Sequence, residues 1–170
     1  MNIRNLRIVT VIVAVCALLS VPLSARAAST AFGPESKRFG AGLYLGIPTG
    51  ITLKGYLTEK WALDGVFAWS FVGEGFTLIA DATYDFFDIP IHASSFTLPF
   101  YVGVGGKLAF GRNGDDDGKT IAGIRVPVGV AMQFVHYPIE VFIEAAPGIE
   151  VIPEAEFDVT GGVGARFYFF

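Results

Sequence analysis

Histidine and serine residues that lie close together are the first candidates for catalytic chemistry in this sequence. His92 comes two and three positions before Ser94 and Ser95, and His136 lies in a separate connector. A serine nucleophile also needs an acid that orients the histidine and donors that stabilise an oxyanion. A short spacing on a turn does not assemble these groups. The sequence therefore predicts that the protein is not an enzyme.

An acidic stretch at residues 113–118, Asn-Gly-Asp-Asp-Asp-Gly, is similar to the start of a calcium-binding loop. Such a loop ends with a glutamate at its twelfth position, which is occupied here by Ile124. We expect a solvated acidic loop, and weak bridging by divalent cations stays open. The glycine-rich run 103–106 lacks the lysine and hydroxyl residue of a phosphate-binding loop. Neither a dedicated metal site nor a cofactor is predicted.

Ten charged residues are arranged more regularly, because they recur at alternate positions within largely apolar segments. They are Lys54, Asp64, Asp81, Asp85, Lys107, Arg125, Glu140, Glu144, Glu150 and Arg166. An enclosed charge is costly unless it is paired, so we expect these residues to form a network. A functional gate or solute path is the alternative interpretation.

Two sets of pairings are predicted within this network. Lys54 and Asp64 are equidistant from Glu59, so they are predicted to face each other across a hairpin. Arg125 and Arg166 are predicted to be held by an acidic row on one segment. That row consists of Glu140, Glu144 and Glu150.

The elements that carry these charges are predicted to be β-strands, because polar and apolar residues alternate along them. Trp61 and Phe67, for example, share one face of a segment, and Asp64 lies on the other. Eight such segments cover residues 39–47, 51–58, 61–71, 76–86, 96–110, 122–134, 139–149 and 157–170. Turns rich in breakers or charge separate them, and no helix is predicted after residue 27.

The first 27 residues are organised like a secretory signal peptide. Arg4 and Arg7 precede a nearly continuous apolar run at residues 8–23, and Ala25 and Ala27 supply small residues before a cleavage site. The run is shorter than the roughly 20 residues of a spanning helix. Cys16 lies inside this run and follows Val15, whereas a lipoprotein signal has a small residue directly before its cysteine, so no lipid anchor is expected. We expect residues 1–27 to be removed, 28–38 to form a short N-terminal segment and 39–170 to form the folded domain.

Removal of this signal makes the chain more acidic. The signal holds three of the twelve basic residues and none of the sixteen acidic ones, which leaves nine basic residues and a net charge of −7. A chain of this charge is not expected to bind nucleic acid. The remaining chain has no cysteine, so disulfide and thiolate chemistry are excluded.

Aromatic residues near the strand ends distinguish a soluble β-sandwich from a membrane barrel, since both folds alternate. They resemble two interfacial girdles, with Trp61, Phe86, Phe96, Phe134 and Phe169 near one set of strand ends and Trp69, Phe71 and Phe110 near the other. Tilted strands of about 9 to 11 residues cross a bilayer, where an open sheet edge finds no water. The predicted fold is all-β: a closed, antiparallel, up-and-down transmembrane β-barrel of about eight strands.

The C-terminal segment ends in Phe167, Tyr168, Phe169 and Phe170. It resembles the terminal strand signal that the barrel-assembly machinery reads in bacterial outer-membrane proteins, with the three phenylalanines as signal residues. The apolar face ends at Phe169. Phe170 therefore lies one position beyond the usual register, and Arg166 and Tyr168 are predicted to lie inside.

Residues 38–170 as a whole resemble the small OmpA/OmpX-type outer-membrane barrels. They are more similar still to short barrels of unknown function whose strands carry phrases like those at 98–105 and 123–129. The resemblance implies the outer membrane of a Gram-negative bacterium, with membrane lipid and lipopolysaccharide as surroundings. It also implies biogenesis through periplasmic chaperones and the assembly machinery. We expect a monomer.

These observations predict an integral outer-membrane barrel with a filled, ion-paired lumen and a structural or envelope-interface role. Two alternatives stay open: a narrow gated pore for ions or small solutes, and a surface-exposed binding protein. An even strand count places both termini on the same side of the membrane, and the signal peptide predicts that this side is the periplasm. The register also predicts that Val128→Arg, on the lipid-facing side, impairs folding far more than Gly129→Ser on the opposite side.

Overall fold

The computed structural model describes residues 33–70, 75–90, 95–111 and 120–169. The predictions for residues 1–27 and 113–118, and for Phe71, His92, Ser94 and Phe170, lie outside these residues. A single 3₁₀ turn, Pro34–Ser36, precedes ten strand segments. The segments are β1 (Phe39–Ile47), β2 (Gly50–Tyr56), β3 (Trp61–Ser70), β4 (Gly75–Asp88), β5 (Phe96–Thr97), β6 (Pro99–Phe110), β7 (Ile121–Arg125), β8 (Val128–Phe134), β9 (Ile139–Ile152) and β10 (Glu156–Tyr168).

The ten segments form eight barrel strands, which we call staves, because two of the staves are each divided into two segments. Leu98 alone separates β5 from β6, and Val126 and Pro127 separate β7 from β8. Proline has no N–H for the ladder, so a strand that contains Pro127 is interrupted there. The carbonyl of Pro127 still accepts a hydrogen bond from Gly103 N at 2.8 Å, which keeps the two staves together.

The staves close into a barrel. Every pairing is antiparallel, and β10 pairs with β9 on one side and with β1 on the other. The predicted all-β, closed, up-and-down barrel of eight strands is confirmed. The prediction of no helix was wrong at one place, since the turn Pro34–Ser36 precedes β1. In the described part of the chain, no helix has the length and apolar character needed to cross a membrane.

Alternation along each strand separates a lumen face from an outer face. In β3, Ala62 and Asp64 are buried inside, whereas Trp61, Leu63 and Phe67 are exposed outside. Lys54 on β2 and Asp64 on β3 are direct cross-strand partners, as their spacing predicts. The start of β1 and the end of β10 lie at the same end of the barrel, which we call the terminal end.

Glycines on the inner face make room for large rings. A Cβ built on Gly129 would lie 2.4 Å from Cζ of Tyr101, and one on Gly164 would lie 2.4 Å from Cζ of Phe142. A small barrel has an interior only wide enough for side chains, so a ring on one stave needs a residue without a side chain beside it. Gly129→Ser is therefore not the mild substitution that the register alone predicts.

Candidate functional site in the barrel lumen

Arg166 on β10 is the centre of one buried cluster. Its Nη1 donates to Glu140 Oε1 at 2.8 Å, and its Nη2 contacts Asp64 Oδ1. Its Nε and Nη2 also donate to Thr52 Oγ1 at 3.1 and 2.9 Å. The guanidinium lies 3.9 Å from the centre of the Phe142 ring. A planar guanidinium suits this arrangement, because it can bind two carboxylates at once and stack on a ring.

Lys54 lies beside the Arg166 cluster and is fully buried. Its Nζ is 3.8 Å from Asp64 Oδ2 and 3.9 Å from Glu140 Oε2. It also lies 5.0 Å from the ring centres of Tyr56 and Tyr101. Lys54 therefore lies at ion-pair distance from both carboxylates, but its distances to them are longer than those of Arg166.

Arg125 on β7 organises a second buried cluster. Its Nη2 contacts Glu144 and lies 3.4 Å from Asp81 Oδ2. Its Nη1 donates to Thr160 Oγ1 at 2.9 Å, and the Tyr101 hydroxyl donates to Glu144 Oε2 at 3.0 Å. Asp81 is also the cross-strand partner of Asp64, so two buried carboxylates are neighbours on β3 and β4.

A third cluster lies towards the end of the barrel opposite the termini. Lys107 Nζ donates to Glu150 Oε1 at 2.8 Å and to Asp158 Oδ2 at 2.5 Å. These groups are partly exposed and, with Arg125, line a shallow crevice. Water reaches this cluster, so its ion pairs are worth less than those deeper in the lumen.

A hydrogen-bonded layer of two tyrosines and one glutamine lies across the terminal end of the lumen. The Tyr56 hydroxyl donates to Asp85 Oδ2 at 3.1 Å and accepts from Gln133 Nε2 at 2.7 Å. Gln133 also donates to Glu140 Oε2 at 2.9 Å, and the Tyr168 hydroxyl donates to the same oxygen at 3.2 Å. Because Tyr56 and Gln133 lie on opposite staves, this layer spans the lumen.

The structure brings all ten charged residues singled out from the sequence to the lumen, in these clusters. Of the predicted acidic row, Glu140 binds Arg166 and Glu144 binds Arg125, but the prediction was wrong for Glu150, which pairs with Lys107. The structure adds members that the sequence reasoning did not assign, above all Asp158, Tyr56, Tyr101 and Gln133. Their signal was available, since each occupies an inward position of an alternating strand. Together the described lumen groups comprise the four cations Lys54, Lys107, Arg125 and Arg166 and the seven carboxylates Asp64, Asp81, Asp85, Glu140, Glu144, Glu150 and Asp158.

The described aromatic residues of the two sequence-derived sets all lie on the outer face. At the terminal end, Phe96 contacts Phe134 with ring centres 6.3 Å apart, and Phe169 contacts Phe39 at 5.4 Å. Trp61, Phe86 and Phe167 lie outside at that end as well. At the other end, Trp69 lies 6.2 Å from Phe67, and Phe110 stacks on Phe76 at 4.8 Å. Sequence reasoning missed further members of these bands, namely Phe39, Tyr84, Phe87, Phe100, Phe67 and Phe76.

The remaining chemical candidates are dispersed. His136 and Ser95 are exposed in connectors. Within the described ranges, no group of three or more histidine, cysteine or acidic residues is placed to hold a metal ion. The geometry of the lumen is thus one of charge pairing, since its cations lie between carboxylates.

A solved structure has the same architecture. The N-terminal β-barrel domain of Pseudomonas aeruginosa OprF superimposes with a TM-score of 0.51 and 15% sequence identity, over 78% of this chain and 96% of that one. The fold is that of a small OmpA-type barrel. At 15% identity, the similarity between this chain and the OprF domain is a similarity of fold. Neither a protein-family model nor a curated protein matches the sequence.

Proposed function

We propose that this OmpA-type barrel is an integral protein of the bacterial outer membrane. The observation that carries the proposal is the outer face of the barrel, which is apolar on all sides. Leu43, Val104 and Ile143, on three different staves, are 62%, 62% and 60% exposed. Soluble monomers rarely expose so continuous an apolar surface, whereas a bilayer solvates it.

Two further features support this location. The exposed aromatics gather towards the two ends of the barrel, where aromatic side chains favour the head-group region. Closure of the sheet leaves no backbone edge unpaired in hydrocarbon. The proposed signal at residues 1–27 would export the chain, and Phe167, Phe169 and Phe170 would direct it to the assembly machinery. The partners are then lipid, lipopolysaccharide and biogenesis factors, and the barrel is a monomer.

The proposed role is structural, at the envelope interface, with a lumen that is filled and does not conduct. Arg166 and Arg125 are each buried between carboxylates, and the tyrosine layer lies across the terminal end. Tightly paired charges in a narrow interior resist hydration, because water must replace several hydrogen bonds at once. This role is non-enzymatic.

A narrow gated pore is the second candidate, favoured by one observation. Lys54 interacts with Asp64 and Glu140 at 3.8 and 3.9 Å, so it is held less tightly than the arginines. Such a pore would favour passage of cations, because carboxylates outnumber cations among the described lumen residues. Surface binding stays a prediction, since most of the residues of the longest connector lie outside the described ranges.

Planar-bilayer recording of the refolded protein distinguishes a filled lumen, which we call the plug, from a gated pore. Conductance at the lipid baseline is expected, and Glu144→Gln should lower the unfolding midpoint because it leaves Arg125 poorly compensated. Steady conductance in the wild type, with Glu144→Gln altering ion selectivity but leaving the midpoint unchanged, would favour the pore. Fractionation of a Gram-negative host tests the location separately: recovery in the soluble periplasmic fraction would overturn it.

A further inference from the structure

The short turn before β1 lies across the terminal mouth of the lumen. A Cβ on Gly33 would come within 3.0 Å of Tyr56 Cδ2, so the backbone of Gly33 lies directly against the Tyr56 ring on β2. The turn Pro34–Ser36 packs against β8, and Pro34 is buried. The staves that contain β2 and β8 are opposite each other in the closed barrel. A segment that touches both spans the mouth.

The turn covers groups that would otherwise face solvent. Tyr56, Ala62 and Tyr168 form a buried cluster at this end of the lumen. The Tyr56 hydroxyl connects this cluster with Asp85 and Gln133. Beyond the cluster lies Glu140, which belongs to the Arg166 cluster. Displacement of the turn would therefore expose this buried cluster, which lies between the mouth and the charged interior, to water.

The backbone of the turn is strained in its closed position. Gly33 has φ 79° and ψ 179°, a conformation that is accessible essentially only to glycine. Glu35 and Ser36 have φ values of 52° and 67°, in the left-handed region that other residues rarely adopt. Local contacts offset this strain, since Ser36 N donates to Gly33 O at 3.1 Å and Lys37 forms an ion pair with Glu35 at 3.1 Å. Strain of this kind lowers the free energy needed to displace the segment.

We propose that residues 33–37 are a strap that closes the terminal mouth of the barrel and controls access of water and small solutes to the lumen. The occupant of the mouth is this segment of the chain itself. The strap differs from the charge clusters, because it acts at the entrance and leaves every ion pair of the lumen in place. The proposal concerns the mouth of the barrel only and does not depend on whether the lumen conducts.

Thiol labelling at two positions of β3 tests the strap. Ala62 and Ala68 both face the lumen and are 1% and 2% exposed, and Ala62 lies under the strap whereas Ala68 lies towards the other end. Single cysteines are introduced by Ala62→Cys and Ala68→Cys in a chain that carries Cys16→Ala. The rate of reaction with a small methanethiosulfonate reagent is measured in detergent with the strap intact and with Gly33→Ala. A second strap variant deletes residues 33–36, so that the test does not depend on a single substitution.

Opening of the strap should accelerate labelling at position 62 at least about tenfold and leave position 68 unchanged. Unchanged rates at both positions in both strap variants would overturn the proposal. Equal acceleration at both positions would also overturn it, since it would report general loosening of the barrel. The measurement is made in detergent, so a failure of the proposed location or of the plug would not mimic either result.

Discussion

Arg166 and Glu140 are direct cross-strand partners on β10 and β9, and their side chains meet inside the barrel with Nη1 and Oε1 2.8 Å apart. Glu140 also lies within ion-pair distance of Lys54 and accepts hydrogen bonds from Gln133 and Tyr168. One carboxylate thus joins two cations to the tyrosine layer at the terminal end.

Glu140→Gln should destabilise the barrel strongly. The variant leaves Arg166 and Lys54 to share Asp64, and loss of one partner of a buried ion pair typically costs about 3 to 5 kcal/mol. The midpoint of urea unfolding in detergent reports this loss. Glu150→Gln is the matched control, because Glu150 is 17% exposed and Lys107 keeps its contact with Asp158. Equal shifts in the two variants would mean that the Arg166 cluster is as well hydrated as the Lys107 cluster.

Ile143→Arg should impair insertion of the barrel into lipid vesicles. Ile143 lies on the outer face of β9, and an arginine near the midplane of a barrel costs on the order of 2 to 4 kcal/mol in a bilayer. In water the same exposed substitution would cost little. Folding yield into vesicles is read from the heat-dependent shift in gel mobility, with Ile143→Val as control. Indistinguishable yields would contradict a lipid-facing β9.

Gly164→Ala should destabilise the barrel where Gly65→Ala does not. A Cβ at position 164 would lie 2.4 Å from the Phe142 ring and 2.7 Å from the carbonyl oxygen of Leu43, whereas the nearest atom at position 65 is 3.7 Å away. Overpacking of this kind costs about 1 to 3 kcal/mol. Thermal or urea unfolding compares the two variants. Similar stability of both would show that Phe142 can turn away from β10 without cost.

An epitope inserted after Gly114 should be accessible to antibody on intact cells. Residue 114 lies in the sequence between Phe110, the end of β6, and Ile121, the start of β7, and both of these residues lie at the end of the barrel opposite the termini. With the termini in the periplasm, as the proposed signal peptide implies, that end faces the cell exterior. The same epitope inserted after Tyr137, between β8 and β9 at the terminal end, is the control and should react only after the outer membrane is disrupted. The reverse pattern would invert the proposed orientation.

The strands were largely predictable from the sequence because alternation is a local property. The segment 39–47 matches β1, and the pairing of Lys54 with Asp64 follows from a short hairpin. The strand breaks at Leu98 and Pro127 were not predicted, because the alternation of apolar residues continues past both positions. The proline at position 127 could have indicated the second break. Alternation is insensitive to a lost ladder hydrogen bond.

The partners of the lumen charges were less predictable. Arg166 meets Asp64 from three staves away, and Lys107 meets Asp158 from the same separation. Such contacts depend on the diameter of the barrel and the tilt of its strands, which no local pattern encodes. The fit of Tyr101 over Gly129 was missed for a different reason: the two residues are direct partners on the neighbouring strands β6 and β8, and their pairing depends on a register that alternation along one strand does not give. Sequence spacing gives the face on which a residue lies but not what reaches it across the lumen.

The position of Arg166 on the last strand has a consequence for the order in which the barrel forms. Until β10 is in place, Asp64 and Glu140 share Lys54 as their cationic neighbour among the described residues, at 3.8 and 3.9 Å. The final strand supplies the compensating guanidinium in the same step in which it joins β9 to β1. A chain that stops after β9 would therefore lack both a closed edge and the guanidinium that binds Asp64 and Glu140, so the last step of folding is expected to be strongly cooperative.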